Sequence, residues 1–203
     1  MDLQKTAVIL IGYQNDYFAE DGILRGVIEE PGRASTVLAN TIALIKQLRP
    51  APVQLITTPI VFTPDYSELV EPMGILKAIK DVEAFKQGTK GAENVPELLE
   101  FEERVLEVPG KRGLNAFSNT QLNDILQEQE VTDVVLAGAV TSICIDSTGR
   151  AAFENGYSIH ILSDCTAGRT PVEQSFYCET IFPLYAEVID STTLLARGGV
   201  IDG

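Results

Sequence analysis

Apolar positions along this chain follow two periods in alternation. Residues 6–12, Thr6-Ala7-Val8-Ile9-Leu10-Ile11-Gly12, form a continuous apolar run, the pattern of a strand covered on both faces. Across 32–48 the apolar residues Val37, Leu38, Ile42, Leu44, Ile45 and Leu48 recur near helical period, and Pro50 stops them. Strand patterns return at 53–58 and 103–108, a helix is predicted over 120–129, and a strand over 134–140. A further strand is expected at 157–162, a helix at 173–184 and a last strand at 187–190. The long segment 59–100 is rich in Pro, Gly and charge; it predicts short helices and part of a site wall.

Six strand candidates alternating with helices predict an α/β fold, a doubly wound and mostly parallel sheet. The clearest unit is Val134-Val135-Leu136-Ala137-Gly138-Ala139-Val140 leading into Thr141-Ser142-Ile143-Cys144. With Thr141 or Ser142 as cap, Ala151, Ala152 and Phe153 face the sheet and Asn155-Gly156 stops the helix. Cys144 then sits in the first helical turn, among N–H groups that favour a negative charge and make a thiol reactive. The next strand follows directly, so the two strands are parallel and the crossover right-handed. Ligands of such sheets bind outside the carboxyl ends of the strands. Gly12-Tyr13-Gln14-Asn15-Asp16, Lys111 and the stretch from Val140 to Cys144 all lie just past those ends.

Composition narrows the function classes. A chain of 203 residues with 45% hydrophobic residues suits a single domain over 1–203, burying roughly 70% of its unfolded surface. The formal net charge of −14 argues against nucleic acid and against an anionic membrane surface. No apolar stretch reaches membrane-spanning length, and Met1-Asp2-Leu3-Gln4-Lys5 has no signal-peptide start, so a cytoplasmic protein is expected. Cys144, Cys165 and Cys178 lack ligand spacing, which indicates neither a disulfide framework nor a zinc site. The single histidine, His160, falls inside a strand and reads as a packed residue. No cofactor and no metal is expected. Tyr13, Phe18, Tyr66 and Phe117 are candidates for an aromatic wall of the crevice.

Four ordered stretches carry a resemblance to a known family: residues 8–18, residues 85–92 ahead of Pro96-Glu97-Leu98, Lys111 ahead of residues 116–122, and residues 138–144. Together they resemble the isochorismatase-like cysteine hydrolases, a superfamily that includes nicotinamidases and carbamoylsarcosine amidases. The resemblance covers nearly the whole chain. It implies a three-layer αβα sandwich around a parallel sheet, and a homo-oligomer, dimer or tetramer, acting on a small-molecule substrate. It also implies Cys144 as nucleophile, Lys111 as catalytic lysine, a cis bond between Ala139 and Val140, and the Val140 and Cys144 N–H groups as oxyanion donors.

Two departures change the expected chemistry. Relatives carry a catalytic aspartate where this chain has Gly12, within Ile11-Gly12-Tyr13-Gln14-Asn15-Asp16, while Asp16 matches a residue that is structural in the family. Residues 62–67, Phe-Thr-Pro-Asp-Tyr-Ser, lack the histidines of the metal-dependent nicotinamidases. The expectation is therefore a hydrolase working through a Cys144 acyl-enzyme, slowed by the missing base and biased toward good leaving groups. The alternative is a catalytically silent member of the fold that binds a metabolite or partner, and a thiol-based redox sensor is a third class.

Overall fold

The computed structural model describes residues 1–201 of the chain. Its centre is a six-stranded sheet: β1 (Thr6–Ile11), β2 (Gln54–Thr57), β3 (Val105–Glu107), β4 (Asp133–Ala139), β5 (Ser158–Ala167) and β6 (Glu187–Ile189). They lie in the order β3-β2-β1-β4-β5-β6, every pairing parallel. Each expected strand is present; the central β1 and β4 are apolar runs buried on both faces, whereas the edge strands β3 and β6 carry Glu residues and are partly exposed. The side chains of β1 divide accordingly. Val8 and Leu10 pack with Val37, Leu44, Ile45 and Leu48 of α1 (Arg33–Leu48). Ala7, Ile9 and Ile11 pack on the other face with Leu122 and Leu126 of α3 (Leu122–Glu128) and Ala152 of α4 (Asp146–Glu154). This is the three-layer sandwich, with helices on both faces of a parallel sheet.

Two local expectations are corrected. Thr141 and Ser142 do not cap the helix; the chain enters through a wide π-type turn, Thr141–Ile145, with Val140 at its cap position. Their hydroxyls are spent elsewhere: Thr141 Oγ1 donates to Gln174 Oε1 at 2.6 Å and Ser142 Oγ to Glu173 Oε1 at 2.6 Å. Both acceptors belong to α5 (Pro171–Phe176), which is thereby tied to the start of α4. The helix predicted over 173–184 is broken into α5, a second wide turn at Tyr177–Ile181 and a 3-10 turn at Phe182–Leu184. Pro183 has no N–H to donate, so a regular α-helix cannot run through it.

The segment 59–100 holds α2 (Gly74–Asp81) and short turns at Lys90–Ala92 and Pro96–Leu99. Ser191–Arg197 forms α6, and among the described residues no helix is long and apolar enough to cross a membrane.

Candidate active site

The strand order reverses between β1 and β4, and at such a switch point the chains leave a sheet in opposite directions and open a crevice. Gly12 leaves β1 into that crevice and Val140 leaves β4. Lys111 arrives beyond β3 through a bridge pairing with Ile60. Its Nζ lies 3.6 Å from Cys144 Sγ and donates to the Gly113 carbonyl at 2.5 Å. Lys111 is 1% exposed and Cys144 8%, so the ammonium and sulfur meet out of bulk water. The Ala139–Val140 peptide beside them is cis.

Gly12 adopts φ +75°, and a Cβ built there falls 2.9 Å from the Ala139 carbonyl oxygen and 3.5 Å from the Tyr17 ring. Backbone conformation and the neighbouring strand together make any side chain at this position strained. Gly138, which pairs with Ile11 across β1 and β4, is tighter still: a Cβ would come 1.8 Å from the Ile11 carbonyl oxygen.

Gly12, Tyr17, Thr58, Lys111 and Cys144 line one cavity, with Ile75, Leu76 and Ile79 of α2 across from them. The space between is about 10 Å³, room for roughly one water. Thr58 is buried and its Oγ1 has no hydrogen-bond partner. The hydroxyl of Tyr17 is raised above the usual phenol range by burial, with the Cys144 and Asp16 charges adding to it.

The aromatic wall is not the one expected. Tyr13 is held in the core, its hydroxyl bonded to Thr41 Oγ1 at 2.5 Å and its ring stacked on Phe18 at 4.8 Å. Tyr66 donates to the Ala84 carbonyl, and Phe117 stacks on Tyr157. Tyr17 and Phe85 line the cavity instead. A single helical turn, Asn15–Phe18, lies between Gly12 and these positions and decides which ring faces the thiol. Apolar periodicity over four residues carries no such signal.

The polar residues after Gly12 serve the scaffold. Gln14 Nε2 donates to the Ile60 and Ala92 carbonyls, and its Oε1 accepts from Ile60 N. Asn15 Nδ2 donates to the Lys90 carbonyl at 2.8 Å, and Asp16 Oδ2 accepts from Phe85 N at 2.6 Å. Burial lifts the Asp16 carboxyl above its ordinary value, against the pull of that hydrogen bond. The other thiols are placed differently from Cys144. Burial pushes Cys165 up to about 12 and Cys178 up to about 11. His160 is packed within β5, between Asp133 and Glu187.

These features define a class: doubly wound α/β proteins with a buried cysteine–lysine pair at the switch point. Residues 6–193 match the Isochorismatase domain, and the chain belongs to that family. It is similar to an uncharacterized isochorismatase family protein of Bacillus subtilis (strain 168), 36% identical over 86 residues, which are 42% of this chain and 47% of that protein. The matched stretch thus spans about half of that relative's length. A probable inactive nicotinamidase of Arabidopsis thaliana is 28% identical over 182 residues, 83% of either chain. The crystal structure of a cysteine hydrolase from Pseudomonas syringae pv. phaseolicola 1448A shares the fold at a TM-score of 0.84. It is 20% identical, and the likeness covers 98% of this chain and 94% of that one.

Proposed function

We propose that the protein is a small-molecule hydrolase that cleaves an amide, C–N or activated acyl bond through an acyl-enzyme on Cys144. The observation that carries this reading is the 3.6 Å contact between Lys111 Nζ and Cys144 Sγ inside a closed crevice. In the first step the sulfur attacks the acyl carbon and the carbonyl electron pair moves to oxygen. The Val140 and Cys144 N–H groups are the donors assigned to that oxyanion, and Lys111 supplies positive charge beside it. The oxyanion collapses, the bond to the leaving group breaks, and a thioester remains. Water then attacks the thioester, releasing the carboxylic acid and the free cysteine.

Gly12 stands where relatives of this family carry the carboxylate that moves these protons. Loss of a positioned acid or base typically lowers a rate by about 10²–10⁴-fold. Turnover is therefore slow with unactivated amides and faster with activated esters or thioesters, whose leaving groups depart as stable anions. Gly12 also motivates a second reading, a silent metabolite-binding member of the fold. The likeness to a relative named as inactive supports that reading.

The deciding experiment is incubation with a p-nitrophenyl ester, followed by intact and peptide mass spectrometry. An acyl adduct on Cys144 that decays with release of acid, and is absent in Cys144→Ala, supports the hydrolase. No adduct, with reversible ligand binding unaffected by Cys144→Ser, selects the silent binder.

A further inference from the structure

The cavity over Cys144 has an unusual balance of side chains for a site that handles polar bonds. Its walls include Ile11, Ile60, Ile75, Leu76, Ile79 and Leu114, and among the described residues its lining holds no Asp, Glu, Arg or His. Lys111 is the one charged group, and its ammonium lies against the sulfur and the Gly113 carbonyl. A ligand carboxylate pushed into this space would lose its water, meet no cation besides the Lys111 ammonium already set against the sulfur and the Gly113 carbonyl, and repel an ionised sulfur. Aliphatic groups meet no such penalty and gain from every methylene buried.

One polar atom on the wall is unsatisfied. Thr58 follows β2 at the sheet edge, its N–H bonded to the Leu10 carbonyl at 3.2 Å, while its 1%-exposed side chain leaves Oγ1 without a partner. A buried hydroxyl without a hydrogen bond carries a desolvation cost that a ligand atom can remove. The way in is also visible. Ile75, Leu114 and Ile143 line the cavity on one side and a surface groove on the other, where Asp146 and Arg169 stand at the rim. Apart from Lys111, charge is thus met at the mouth. The remaining space of about 10 Å³ means that the wall has to give way as a ligand enters.

We propose that this pocket selects neutral, short-chain aliphatic acyl groups, with the Thr58 hydroxyl as anchor for a polar atom on that chain. The inference rests on Cys144 as the acyl acceptor and adds the class of acyl group it takes.

The test compares p-nitrophenyl 5-methylhexanoate with the mono-p-nitrophenyl ester of glutaric acid, which puts a carboxylate in place of the isopropyl end. The readout is the rate of Cys144 acylation by mass, corrected for spontaneous hydrolysis. The neutral ester acylates at least about tenfold faster. Thr58→Val, whose fold is checked by its melting curve, slows acylation by the 3-hydroxybutanoyl ester about tenfold more than acylation by the butanoyl ester. Equal or faster acylation by the glutaryl ester overturns the proposal, as does an equal effect of Thr58→Val on both short esters. If no ester labels Cys144, the hydrolase reading fails and the pocket is tested alone by thermal shift. Stabilisation by 5-methylhexanamide but not by glutaramate then upholds the selectivity, and stabilisation by glutaramate or by neither overturns it.

Discussion

The two ends of the central strands treat polar groups in opposite ways. At the amino ends, His160 Nε2 lies 3.0 Å from Asp133 Oδ1 and its Nδ1 lies 3.3 Å from Glu187 Oε2. Arg197 grips the same Glu187 through two nitrogens, at 2.7 and 2.9 Å, and holds its carboxyl below the usual range. The Arg197–Glu187 pair is about half exposed, while His160 is buried, its Nε2 within hydrogen-bond distance of Asp133. At the carboxyl ends, Lys111 is buried beside a thiol with no carboxylate at hand, and Thr58 Oγ1 has no partner. Paired charges at an exposed rim contribute little and cost little. Unpaired polar groups buried on one edge are costly, and a fold keeps them where a ligand or a reaction completes them.

The sharpest way to break this comparison is Cys144→Ala, which is expected to lower acyl transfer by about 10⁴-fold or more while leaving the melting temperature nearly unchanged. Burst kinetics with an activated ester check it. Next comes Lys111→Met, which keeps the stem and removes the charge. Iodoacetamide labelling of Cys144 at neutral pH should slow by about 10²-fold, as peptide mass spectrometry would show. Labelling at the wild-type rate would reduce Lys111 to a packed residue.

Gly12→Asp follows, placing a carboxylate at the edge. Because of the positive φ and the 2.9 Å approach to the Ala139 oxygen, it should destabilise by about 1–3 kcal/mol in urea unfolding, with no gain in hydrolysis. At the opposite end, His160→Ala should cost less than about 1 kcal/mol and leave Cys144 labelling untouched.

The smallest effect expected is a pH dependence carried by Glu173. Burial works against its charge, yet hydrogen bonds from Ser142 Oγ and Arg169 N, with the Arg169 guanidinium, hold it below its ordinary 4.5. A carboxyl depressed in the folded state adds stability above its unfolded pKa, and that stability is lost as pH falls through the folded value. Wild type should therefore lose more stability than Ser142→Ala as pH drops below about 4.5, read by denaturant midpoints.

The sheet was readable residue by residue because parallel strands buried on both faces are written as apolar runs, as in 6–12 and 134–140. The convergence of Gly12, Lys111 and Cys144 followed from the rule that parallel strands present their carboxyl ends on one edge. Other features depend on contacts distant in sequence. The role of Thr141 and Ser142 was hidden because their partners, Gln174 and Glu173, lie about thirty residues on. The placement of Tyr17 over Gly12, and of α2 over the thiol, depends on Gln14, Asn15 and Asp16 pinning residues 60 and 85–93. Those hydrogen bonds go to backbone atoms, so no side-chain pattern in the receiving segment announces them.

Gly138 has a consequence for how such chains diverge. The Ile11 carbonyl leaves no space for even one carbon at this position, so β1 and β4 are spaced here by backbone alone. Lineages that keep this strand contact are free to exchange side chains around the thiol, at position 12 included where the backbone allows, and so to change or abandon a chemistry. They are not free to exchange position 138. In a set of descendants, variation at 138 would therefore mark loss of the architecture, whereas variation at 12 would mark a change of occupation within it.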